Sequence, residues 1–205
     1  MDDLGEALDS IRTMRSHLAR SAEFRFYGPA AIGFTALLAA AAAYLQSVLV
    51  PAPGAHLLAY LTLWTITALL ACSTIAADVA LRARRAHSGL ADEMVREAAG
   101  QLLPAGAAGG LLTAVIAWYA PQCAWMLPGL WQIILALGVF SACRTLPAPM
   151  RLAGFWYAAT GLACLALAQV PHAFSPWAMA LPFGIGEALA AIILLLAGGA
   201  HEQDD

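Results

Sequence analysis

The stretch DVALRARRAHSGLADEMVRE, residues 78–97, decides the fold. It places Arg82, Arg84, Arg85 and Arg96 between two long apolar runs. The remaining arginines fall in two similar stretches. Arg12, Arg15, Arg20 and Arg25 precede the first apolar run, and Arg144 and Arg151 separate the fourth from the fifth. The other connections, near Pro51–His56, Pro121–Trp125 and Pro171–Pro176, hold no Arg, Lys, Asp or Glu. Cationic loops stay on the cytoplasmic side during insertion, so the alternation predicts an all-α, polytopic bundle of six transmembrane helices with both termini in the cytoplasm.

Composition agrees with that reading. Hydrophobic residues make up 61% and charged residues 11%, with a mean hydropathy of +0.74, which excludes the mix of an ordinary soluble domain. The apolar runs cover 28–49, 56–79, 101–119, 125–142, 152–170 and 177–198. Each approaches the roughly 20 residues that cross a hydrocarbon core of about 30 Å. Residues 1–27 are then a cytoplasmic amphipathic segment, 28–198 a six-helix membrane domain, and 199–205 an acidic cytoplasmic tail. No cleavage-like site follows the first run, which reads as a retained helix and not a signal peptide.

In residues 1–27, Leu4, Leu8, Ile11 and Leu18 recur at three- and four-residue spacing, as on one face of a helix. That face suits a cytosolic partner, or a helix lying in the headgroup layer with its arginines on lipid phosphates. Within 78–97 the second helix is expected to run to about Ala86, turn at Ser88–Gly89 and restart with Asp92 and Glu93 in a first turn. Acids suit that place because they meet the positive end of the helix dipole. The Arg82–Arg84–Arg85 cluster reads first as a topology signal and second as an interaction surface. Direct nucleic-acid contact is not expected, because acids follow closely and the net charge is −3.

Polar positions inside the runs are few. Tyr60, Trp64, Thr67, Ala71, Thr74 and Asp78 alternate steps of four and three, so they share one face of the second helix. That stripe either lines a water-filled path or supplies interhelical hydrogen bonds in a closed bundle. Asp78 and Arg144 are expected at the same end, within reach of pairing. Glu187 is the single ionisable group deep in a run, ten residues after Trp177. At about 1.5 Å per residue it lies roughly 15 Å below that interface aromatic. A charge there costs on the order of 3 kcal/mol or more, so desolvation favours the neutral acid. Two readings stand for it: a proton- or cation-coupled site, or a neutral hydrogen-bonding group between helices. Small residues at contact spacing (Gly154, Ala158, Gly161, Cys164 and Ala168; Gly106, Gly110, Thr113 and Ala117) read as helix-packing stripes. A Gly/Pro pattern shared by the third-to-fourth and fifth-to-sixth helices hints at a duplicated hairpin.

No motif for catalysis or a cofactor is found. The chain has no lysine for a Schiff base, and its five histidines all lie in loops or tails. HExxH, a phosphate-binding glycine loop and Cys-x-x-Cys are missing. Neither enzyme, metal nor cofactor is expected. Cys72, Cys143 and Cys164 are expected to pack as small apolar residues, and Cys123 to reach the neutral-loop end.

Several longer runs carry a resemblance: Leu127-Pro128-Gly129-Leu130-Trp131-Gln132, Ser141-Ala142-Cys143-Arg144-Thr145-Leu146-Pro147, Ser175-Pro176-Trp177-Ala178-Met179 and Leu181-Pro182-Phe183-Gly184-Ile185-Gly186. With Ile11–Met14 and Ala83-Arg84-Arg85 they resemble a family of uncharacterised bacterial six-helix membrane proteins, often encoded beside a winged-helix transcriptional regulator. The likeness spans roughly residues 8–196. It implies the bacterial inner membrane as location, a cytosolic regulator as partner, and Gln as the commoner residue at position 187. It brings no activity and no site residues. The leading expectation is a non-enzymatic bundle whose cytoplasmic face (Arg82, Arg84, Arg85, Arg144) engages a regulator or other protein, with the bilayer and a second copy as further partners. The rival is a small proton- or cation-coupled transporter or channel built on Glu187, Asp78, Thr67, Thr74, Trp64 and Tyr60.

Overall fold

A computed structural model describes residues 28–85, 91–143, 146–167 and 173–201, without the side chains of 83, 85, 91–99, 101, 102 and 198–201. The amphipathic segment 1–27, Ser88–Gly89, Arg144 and the tail from 202 lie outside the described residues. Among the described residues every regular element is helical: α1 (Pro29–Leu49), α2 (Leu57–Arg85), α3 (Ala91–Tyr119), α4 (Leu127–Ala142), α5 (Arg151–Leu167) and α6 (Pro176–His201). Short 3-10 turns at Pro121–Met126 and Ala148–Met150 lead into α4 and α5. Proline opens several of these elements, where its missing N–H is harmless and its fixed φ is already helical.

Among the described residues five stretches are long and apolar enough to cross a membrane: Pro29–Leu49, Leu57–Arg82, Pro121–Ala142, Ala148–Leu167 and Pro176–Ala197. The third expected span is shorter, because its apolar part is confined to Leu103–Tyr119. At 1.5 Å per residue that part reaches about 25 Å. The helix itself continues back to Ala91, through Asp92 and Glu93.

The helices form a ring. Each packs on its neighbours in the chain, and α6 returns along α1 in the most extensive contact of all, while α2 and α3 touch most thinly. The face α1 offers to the ring is Ile32, Thr35, Ala39, Ala42 and Gln46, steps of three and four that stay on one side of a helix. Small residues point inward and large ones outward: Ala39, Ala42, Ala136, Ala153 and Ala190 are buried, whereas Leu37, Leu69, Leu103, Leu111, Phe155 and Leu196 are exposed. That inversion suits hydrocarbon surroundings, where tight backbone approach holds helices together and apolar side chains gain nothing by hiding. Tyr44, Trp118, Tyr119 and Trp177, all exposed, gather at the end carrying the neutral loops, as interfacial aromatics do.

Glycine permits the closest crossing. A Cβ added at Gly129 of α4 would lie 2.7 Å from Gly161 O of α5, and one at Gly161 would lie 2.8 Å from Gly129 O. Gly154 leaves room for the Phe140 ring in the same interface. The stripe expected on α5 therefore packs through these two glycines. The stripe expected on α3 packs only in its second half: a Cβ at Gly106 or Gly110 meets nothing within 4 Å, whereas Thr113 Oγ1 accepts from Trp131 Nε1 of α4 at 2.8 Å and Ala117 packs against the buried residues around Tyr60 and Trp64. The spacing marks a packing face, but only its Thr113–Ala117 part meets a neighbour, and its two glycines are exposed.

Among the described residues the interior has two apolar clusters. At the neutral-loop end, Tyr60, Leu61 and Trp64 of α2 fill the ring against Ala42, Ala43, Ile116, Leu127, Met179 and Ala180. At the arginine-bearing end, Ile32, Met150, Ala153, Ala190, Ala191, Ile193 and Leu194 join α1, α5 and α6.

Candidate functional site

Glu187 sits where α1, α5 and α6 meet. Tyr157 of α5 donates its hydroxyl to Glu187 Oε1 at 3.0 Å. Thr35 of α1 lies with Oγ1 at 3.1 Å from Glu187 Oε2 and at 2.6 Å from Ile32 O of its own helix. A hydroxyl has one proton, and a carbonyl can only accept. The short contact to Ile32 O takes the Thr35 proton, so the contact to Glu187 is fully satisfied when the carboxyl itself carries a proton on Oε2. One directed chain results: Tyr157 to Glu187, Glu187 to Thr35, Thr35 to Ile32 O. Gly186 makes this reach possible, since a Cβ there would overlap the Tyr157 ring and hydroxyl.

The polar stripe of α2 does not form a continuous path. Tyr60 and Trp64 are sealed in the neutral-end cluster, 0% and 4% exposed. Trp64 donates Nε1–H to Gln46 Oε1 at 2.8 Å, and Gln46 donates Nε2–H to Phe174 O at 2.7 Å. Thr67 and Thr74 donate to Leu63 O and Leu70 O of their own helix, at 2.9 and 2.8 Å, the usual arrangement for a threonine within an apolar helix. Asp78 is turned to neighbours at the arginine-bearing end. Its Oδ2 accepts from Arg82 Nε at 2.9 Å and from the Gly28 backbone N–H at 2.8 Å. Asp78 thus pairs one turn along its own helix and fixes the entry into α1. The pairing with Arg144 expected from sequence involves a residue outside the described ones. Arg84 is exposed, and the Arg85 side chain is not among those described.

Proline creates a second polar cluster. Pro182 lies inside α6 and lacks the N–H that would serve Ala178 O four residues earlier. Gln132 of α4, wholly buried, donates Nε2–H to that carbonyl at 3.1 Å and to Pro128 O at 3.0 Å. The Cys164 thiol of α5 points to the same oxygen at 3.7 Å. Trp156 Nε1–H donates to Pro182 O at 2.9 Å. Neighbouring helices therefore supply Ala178 O with the donor that proline removed, as a bundle in lipid requires.

Sequence reasoning singled out Glu187 but not its partners Thr35 and Tyr157, nor the buried amides Gln46 and Gln132. A signal existed. Each amide is a lone Gln inside an apolar run, where an uncompensated amide is costly. All four cysteines are free thiols. Cys72, expected to pack inside, is exposed on the outward face of α2, and Cys164 is held by polar contacts rather than by apolar packing alone. Among the described residues no cluster of His, Cys, Asp and Glu could hold a metal. Compared with known protein families, curated proteins and solved structures, the chain matches none.

Proposed function

We propose that this chain is a six-span protein of the bacterial inner membrane, both termini cytoplasmic, that works as a docking platform for a cytosolic regulator and neither catalyses nor conducts. One observation carries the reading: apart from the buried Tyr60 hydroxyl, the polar groups of the expected path spend their hydrogen bonds on the bundle itself. Thr67 and Thr74 turn to their own backbone, Trp64 closes on Gln46, and Glu187 is held between Tyr157 and Thr35. The arginine-bearing end offers charge to another molecule outside the bilayer: Arg84 is exposed, and Arg82, paired with Asp78, is partly exposed. The resemblance to a six-helix family encoded beside a winged-helix regulator supports the same choice of partner, a protein in the cytosol.

Replacing Arg82, Arg84 and Arg85 with Gln should weaken co-purification of the cytosolic partner while the thermal midpoint stays within a few degrees. Unchanged recovery would leave the cluster as a topology signal only. Reporter fusions after Pro53 and Gln122 should read as outside, and fusions after His87, Ala148 and His201 as inside. The transporter reading needs water at mid-membrane, so single cysteines at Thr67 and Thr74 that react with a membrane-impermeant thiol reagent would favour it instead.

A further inference from the structure

We propose that the ring of helices has one unfastened seam, between α2 and α3, and opens sideways into the bilayer there, swinging on the polar line that holds α6 against α4 and α5. Among the described residues every other pair of neighbours round the ring is fastened. Trp64 donates to Gln46 and the Gly28 N–H donates to Asp78, which ties α2 to α1. Thr35 meets Glu187 and ties α1 to α6. Tyr157 on Glu187 and Trp156 on Pro182 O tie α5 to α6. Gly129 and Gly161 bring the backbones of α4 and α5 together. Trp131 donates to Thr113 Oγ1 at 2.8 Å and ties α4 to α3. Among the described residues no side-chain hydrogen bond or ion pair joins α2 to α3, and Thr67, Thr74 and Thr113 spend their own protons within their helices.

Burial along α2 marks the same seam. Trp64 and Asp78 lie on the flank that bonds α1. Leu61, Thr65, Ala68, Cys72 and Val79 follow one another at steps of four, three, four and seven, so they form a strip along the other flank. Leu61 and Val79, towards the two ends of that strip, are 7% and 5% exposed. Thr65, Ala68 and Cys72 between them are exposed. The strip is thus closed at both ends and opens outward in the middle, as it must where the next helix stands off. Leu61 belongs to the same buried cluster as Ile116 of α3, which keeps the neutral-loop end together. The contact between α2 and α3 is the thinnest between any two successive helices.

In lipid, apolar helices gain nothing by leaving hydrocarbon for one another, so close packing and hydrogen bonds decide which pairs hold. The seam between α2 and α3 has little of either at mid-membrane. A hinge needs one fastened line and one free one. The fastened line runs along α6, which Gln132 of α4 and Trp156 and Tyr157 of α5 all bond. The ring therefore divides into α6, α1 and α2 on one side and α3, α4 and α5 on the other, each set tied internally. Arg82 and Arg84 ride on α2, so the arginine-bearing surface changes shape as the seam opens, although the seam needs no docked partner in order to open.

Double electron–electron resonance on the full chain in lipid nanodiscs, with the four native cysteines replaced by alanine, reads both lines. Spin labels go on exposed positions, where they displace no packing: Leu69→Cys with Leu111→Cys across α2 and α3, and Leu162→Cys with Leu181→Cys across α5 and α6. The first pair should give a broad distance distribution with a second, longer component. The second pair should give a single narrow distribution, which also shows that the labelled chain is folded. Glu187→Leu removes the contacts to Tyr157 and Thr35 and should widen the distribution across α5 and α6, because those bonds fasten that line. A single narrow distribution across α2 and α3, or equal widths at the two lines, overturns the proposal. So does a Glu187→Leu variant whose α5–α6 distribution stays as narrow as the parent's.

Discussion

Replacing Glu187 separates the two chemistries open to a carboxyl in a membrane bundle. The residue makes two interhelical contacts, to Tyr157 at 3.0 Å and Thr35 at 3.1 Å. Hydrogen bonds between membrane helices are worth about 0.6 kcal/mol on average and up to about 1.7 kcal/mol. In Glu187→Leu both are lost, and the Tyr157 hydroxyl, on a residue 2% exposed, is left without a partner. Thr35 keeps Ile32 O and is not orphaned. The lost bonds and the orphaned hydroxyl describe one event, so their costs are not summed, and the expected destabilisation is about 1–3 kcal/mol. Gln reproduces the donor–acceptor pattern of the neutral acid at nearly the same volume: its carbonyl accepts from Tyr157 and its amide donates to Thr35. Glu187→Gln should cost clearly less than Glu187→Leu, about 1 kcal/mol or below, because both interhelical contacts are kept and only the second amide proton is added.

The measurement is reversible unfolding in mixed micelles on the parent, Glu187→Gln and Glu187→Leu. Infrared spectroscopy adds an independent check. The carbonyl stretch of a protonated carboxylic acid should be present at neutral pH and vanish in Glu187→Gln. If the Gln variant is destabilised as much as the Leu variant, the carboxyl is not acting as a neutral donor and the hydrogen-bond chain is misassigned. Loss of a pH-driven flux in vesicles, confined to the Gln variant, would instead promote the coupled transporter.

Other consequences are quicker to check. Gly186→Ala places a Cβ against Tyr157 and should lower the thermal midpoint through loss of the Glu187 contact, so its cost should shrink in a Tyr157→Phe background. Gly129→Ala and Gly161→Ala each press a methyl on a backbone carbonyl, which cannot rotate away; about 1–3 kcal/mol of destabilisation is expected in the same unfolding assay. Gly106→Ala and Gly110→Ala, facing open space, should be neutral or gain up to about 1 kcal/mol from helix propensity. Gln132→Leu removes the donor that serves the carbonyl freed by Pro182 and should cost about 1–3 kcal/mol by unfolding.

The contrast between those glycines shows which parts of the molecule a sequence discloses. Hydropathy and arginine placement act through transfer from water to lipid, a property each segment carries alone. They therefore located the helices that Pro29, Pro121 and Pro176 open. Packing depends on where a helix points its faces. Gly106–Gly110 and Gly154–Gly161 have equivalent patterns, yet only the second pair meets a neighbour, because α5 lies against α4 while α3 shows its glycines to the outside. The same limit governed the polar groups. The spacing from Tyr60 to Asp78 defined a face of α2, but not that Trp64 would find Gln46 or that the threonines would turn to their own backbone. Glu187 was conspicuous by its charge. Its partners were not, since Thr35 and Tyr157 are ordinary residues until the return of α6 along α1 and α5 brings them within 3.1 Å of a carboxyl. A more general rule follows from Pro182. In lipid, each backbone group that a proline frees must find a donor or acceptor on another helix, so an intramembrane proline and a lone buried Gln or Trp elsewhere in the chain form a pair worth seeking. Here the carbonyl that Pro182 frees, Ala178 O, is met by Gln132 of α4, while Trp156 of α5 adds a separate bond to Pro182 O; together the two bonds fix how α4 and α5 face α6.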